Sequence, residues 1–71
     1  SVLVDAAYLR HALAQVTWQF PHLRQEAKLD SPEMARQVER VAEHLRLAIE
    51  KLDEMPGLLD LHRELWPGVN P

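Results

Sequence analysis

Apolar residues recur along the first third of the chain at alternating steps of four and three. Val2, Ala6, Leu9, Leu13, Val16, Phe20, Leu23 and Ala27 form the series. A mean step of 3.5 residues keeps all of them on one stripe of a helix, and no strand alternation produces it. The spacing predicts a helix from about Val2 to Leu29, about 40 Å long at 1.5 Å per residue. Pro21 interrupts the run. It lacks the amide proton that the Thr17 carbonyl would receive, so it should kink or end the helix there. The unbroken phase through Leu23 and Ala27 favours a kink.

Asp30-Ser31-Pro32-Glu33 reads as a helix start, with Ser31 as cap, Pro32 at the first helical position and Glu33 near the positive end. Met34, Val38, Val41, Leu45, Ala48, Leu52 and Met55 then repeat the four-three spacing. Ala35, Ala42 and Ile49 widen the stripe on one flank, as expected for a helix with more than one neighbour. Arg40, Glu43, Glu50 and Glu54 occupy the opposite face. The second helix is expected from Pro32 to about Met55, and the short connection makes it antiparallel to the first.

Pro56-Gly57 ends that helix. Leu58, Leu61 and Leu65 form a third apolar line, predicting a short helix to about Trp66 that Pro67-Gly68 stops. The expected fold is all-α: a single domain over residues 1–71, built as an antiparallel helical hairpin of two heptad-patterned helices, the first kinked near Pro21. With the short carboxyl-terminal helix it makes a three-helix bundle, or a four-helix bundle as a dimer.

A second, weaker apolar line runs down the first helix through Val4, Ala7, His11, Ala14 and Trp18. It lies roughly 140° from the main seam. A helix with two apolar faces has two neighbours, and Ala7 and Ala14 would let another helix approach closely. The third helix of about nine residues spans only about 14 Å and cannot cover the whole line. The expectation is an intermolecular contact through Val4, Ala7, His11, Ala14, Trp18 and Trp66, since apolar patches on small domains mark interfaces. The two tryptophans either pack together or form one exposed anchor.

Length sharpens this. A chain of 71 residues buries only about 60% of its unfolded surface, and small domains without staples gain stability by association. There is no cysteine, which removes disulfides and thiolate chemistry and fits a reducing, cytoplasmic setting. The formal charge of −3 is spread along the chain and offers no basic patch for nucleic acid. No apolar run approaches the roughly 20 residues a membrane helix needs, and the polar face lacks the basic character of a membrane-surface helix.

Chemistry has little to build on. Four histidines are present, but His11 and His22 are too far apart for one ion. His22 with Glu26, and His62 with Asp60 and Glu64, fall short of the Glu-x-x-His pairs of metal bundles. No phosphate loop, nucleophile elbow or zinc-protease sequence occurs. The expectation is therefore a non-enzymatic protein–protein interaction module without catalytic, cofactor or metal residues. Its partner is a second copy or, as a small chaperone or inhibitor, a foreign helix. A metal-binding bundle ranks below both.

Overall fold

The computed structural model describes residues 1–70, and Pro71 lies outside the described part. The described chain is all-helical: α1 spans Val2–Val16, α2 Phe20–Asp30, α3 Pro32–Asp53 and α4 Leu58–Leu65. Among the described residues, no helix is long and apolar enough to cross a membrane.

Local chemistry sets each boundary. The Ser1 hydroxyl accepts from the Val4 amide, and the Ser31 hydroxyl from the Met34 amide. Each satisfies one of the amides that a helix start leaves free. Pro21 neither breaks the helix nor leaves it undisturbed. Thr17–Gln19 tightens into a 3-10 turn, in which the Phe20 amide donates to the Thr17 carbonyl. The carbonyl that Pro21 cannot serve is thus taken by the residue before it. α3 ends at Asp53, two residues short of expectation, and Gly57 adopts φ +82° to start α4. That left-handed geometry is cheap only for glycine.

Two ion pairs fix how the helices lie. Arg10 bonds Asp53 through Nε–Oδ1 at 2.8 Å and Nη2–Oδ2 at 3.1 Å, and Arg24 Nε bonds Glu39 at 2.8 Å. Arg24 follows Arg10 by fourteen residues, just as Asp53 follows Glu39. Such a match requires α3 to run back along α1 and α2 in the opposite sense. Between the two pairs, Arg46 bonds Glu43 and Glu50 within its own helix.

The core is thin. Phe20, Ala27 and Val38 form a buried cluster, with Ala42 and Leu45 packed against it. Ala7 and Leu58 are buried where α4 meets α1. These five are the only buried hydrophobic residues among those described. The molecule measures 42 × 22 × 15 Å, and its thinnest direction holds two packed helix layers.

Candidate functional site

The apolar stripes read from the sequence divide in two. Phe20, Ala27 and Val38 are buried, and Leu13, Leu45 and Leu52 are partly so. The intervening members, one heptad apart, remain exposed. On the first arm, exposure runs from 77% at Val2 through Leu9 and Val16 to 42% at Leu23. On α3, Met34, Val41 and Ala48 are exposed.

On each helix the exposed line is rotated from the packed stripe by about 50° in the same sense, at about 100° per residue. Because the helices are antiparallel, this same flank falls on one common side of the pair. α4 occupies the other side: Leu3 approaches Gly57, and His11 meets His62. One side of the molecule is therefore bare and carries two apolar ridges. Asp5 and Glu26 stand along its α1–α2 edge, while His44 and Lys51 stand along its α3 edge.

The six residues expected at a partner surface scatter. Ala7 is fully buried beneath α4 and offers no surface, which corrects that expectation. Its missing side-chain bulk admits a helix, but the helix is the chain's own. Trp66 covers His11 with parallel rings, centroids 3.9 Å apart, and meets Tyr8 edge-on at 5.0 Å. His11, Ala14 and Trp66 are half-buried, and Val4 is exposed. Trp18 is 80% exposed and does not pack against Trp66. Ala14 and Trp18 border a hollow of about 450 Å³ between α1 and the carboxyl-terminal tail.

The α1–α4 contact also holds a polar cluster that periodicity does not reveal. His11 Nδ1 lies 3.2 Å from His62 Nε2, and the Gln15 side-chain amide lies 3.1 Å from His11 Nε2. His62 is completely buried, and its Nδ1 has no hydrogen-bond partner. Burial, the Arg10 guanidinium and His11 hold His62 below the ordinary imidazole range, against an opposing pull from Asp53. No group of three or more metal-binding side chains comes together among the described residues.

On the surface, His22 contacts Glu26. The Arg46 hydrogen bond lowers the Glu43 carboxyl from its ordinary value, and the two glutamates raise Arg46. These groups are exposed to water, and Glu43, Arg46 and Glu50 rim a groove. On the α4 side, beyond the end of α4, a groove of about 350 Å³ runs between α2 and α3 over Phe20, Ala42, Leu45 and Ile49.

Compared with protein-family models, curated proteins and solved structures, the chain matches none.

Proposed function

We propose that this chain is a non-enzymatic self-association module, in which two helical hairpins join their bare sides into a four-helix bundle. The observation that carries this reading is the pair of exposed heptad lines, Leu9–Val16–Leu23 and Met34–Val41–Ala48. Apolar lines that are long, adjacent and unpartnered are interface surface rather than scattered exposure.

Three arguments favour a second copy as the occupant. The 42 × 22 Å outline encloses roughly 900 Å², close to the about 800 Å² per partner of a stable interface. Two antiparallel ridges of similar length are self-complementary, as a two-fold interface requires. The edges differ in charge, so α1 of one copy set over α3 of the other brings Asp5 and Glu26 toward an edge bearing His44 and Lys51. In this arrangement α4 lies outside the bundle, and the contact is moved from Ala7 and Trp18 to the opposite side.

Static light scattering at micromolar concentration tests the assignment. The expected mass is twice the 8.2 kDa of one chain, with dissociation when Val41 is replaced by glutamate. A monomer at those concentrations would overturn the reading. A second reading, a small chaperone or inhibitor holding a foreign helix, is supported by the groove over Phe20, Ala42, Leu45 and Ile49. It predicts a monomer that is markedly stabilised by its partner.

A further inference from the structure

The arrangement at the α1–α4 contact places two imidazoles nose to nose inside the fold. The His11 Nδ1–His62 Nε2 contact of 3.2 Å has room for one proton only. With both rings neutral, one nitrogen donates and the other accepts. A first proton is tolerated, because one ring of the pair still donates and the other still accepts across the contact. A second proton is not. It sets N–H against N–H and places a charge on His62, whose other nitrogen is buried without a partner.

The charged and titratable groups around His62 come from three places. α1 supplies Arg10 and His11, with Tyr8 at the far edge of Trp66. α3 supplies Asp53, which is already engaged by Arg10 through both carboxylate oxygens. On α4 itself, Asp60 and Arg63 pair with each other at the surface. No neighbour is therefore free to neutralise a second imidazolium.

We infer that the His11–His62 pair is a proton-operated latch: it holds α4 on α1 when neutral or singly protonated, and releases α4 when both rings are charged. Release uncovers Ala7, His11 and Ala14, joining them to the exposed Val4 and Trp18. The whole second apolar line of α1 thus becomes available only after acidification. α2 and the facing part of α3 contain neither ring and keep their own core of Phe20, Ala27 and Val38.

The sign follows from linkage. His62 takes a proton more readily when α4 is undocked than when docked, so docking is fully favoured above the ordinary imidazole value. It weakens as the pH falls below about 6.5, by up to about tenfold in the docking equilibrium per pH unit and proton.

The test uses the full chain with Trp18→Phe, an exposed site, so that Trp66 is the sole tryptophan. Emission maximum and near-ultraviolet circular dichroism report Trp66, while far-ultraviolet circular dichroism reports total helix, between pH 8 and 4.5. The expected result is a red shift and loss of the near-ultraviolet signal below about pH 6.5, with most helix retained. His62→Leu in the same background should abolish the transition and keep α4 docked. If that variant does not fold, His11→Gln serves instead: it removes the like charge and should move the midpoint to lower pH. A flat Trp66 signal, an unchanged midpoint in either variant, or Trp66 release coincident with loss of all helix would each overturn the latch.

Discussion

Arg10 and Asp53 form one ion pair, yet removing either side should have unequal consequences. The Arg10 side chain is 8% exposed and the Asp53 side chain 27%. In Asp53→Asn, the guanidinium keeps its buried position with no compensating charge. Breaking a buried pair in this way costs about 3–5 kcal/mol. Asp53 is also the last residue of α3, where a carboxylate opposes the helix dipole, so neutralising it returns about 0.3–1 kcal/mol. The net expectation is a loss of roughly 2–4 kcal/mol. In Arg10→Met the apolar stem is retained, and the orphaned carboxylate reaches water, so the loss should be nearer 1–2 kcal/mol. A chain of this length has only about 4–11 kcal/mol in total, so the difference is readily measured. Urea unfolding at pH 7, followed by circular dichroism at one fixed protein concentration, gives both values. The fixed concentration matters because association adds to apparent stability. The double variant Arg10→Met/Asp53→Leu should recover most of the loss, since neither charge then remains buried. If Arg10→Met proves as costly as Asp53→Asn, the burial asymmetry does not control this pair.

Other perturbations probe the remaining joints. Ser31→Ala should cost about 1 kcal/mol in urea unfolding, since the Met34 amide loses its cap. Gly57→Ala places a Cβ at an ordinary 3.5 Å from Leu3, so any loss, about 1–2 kcal/mol, comes from the left-handed backbone alone. It should appear as faster amide exchange in α4. Leu58→Ala empties the largest buried apolar position of the α1–α4 contact, and a loss of about 2–4 kcal/mol is expected in thermal or urea melts.

Much of the helical layout was legible because periodicity, caps and turn residues act locally. Ser31-Pro32 and Pro56-Gly57 bracket α3 to within two residues, and α4 begins at Leu58 as its apolar spacing implies. Pro21 was harder. Kinking and ending are both local solutions, and the chain takes a third by handing the Thr17 carbonyl to the Phe20 amide.

The site was less legible. Periodicity gives the stripe but not its width in contact. Val16 and Phe20 belong to the same apolar series, and only the approach of α3 decides that Phe20 is covered and Val16 is not. Ala7 failed as a surface residue because a short α4 needs to cover only the turn it touches, and that turn contains Ala7. The Arg10–Asp53 and Arg24–Glu39 pairs left a trace in their equal fourteen-residue separations, which becomes informative only once the register is fixed. His62 left none. It sits on the α4 face that carries Leu58 and Leu61, and its burial depends on Trp66 folding back over His11.

The central claim is that a second copy covers the ridges of Leu9, Val16, Leu23, Met34, Val41 and Ala48. Isotope-filtered nuclear Overhauser spectroscopy on a mixture of labelled and unlabelled chains tests it most directly. Intermolecular contacts should link the methyl groups of Leu23 in one copy with those of Val41 in the other, and those of Val16 with that of Ala48, because the Arg10–Asp53 and Arg24–Glu39 pairs set these residues level. Intermolecular contacts confined to Ala14 and Trp18, or no intermolecular contacts at all, would contradict it.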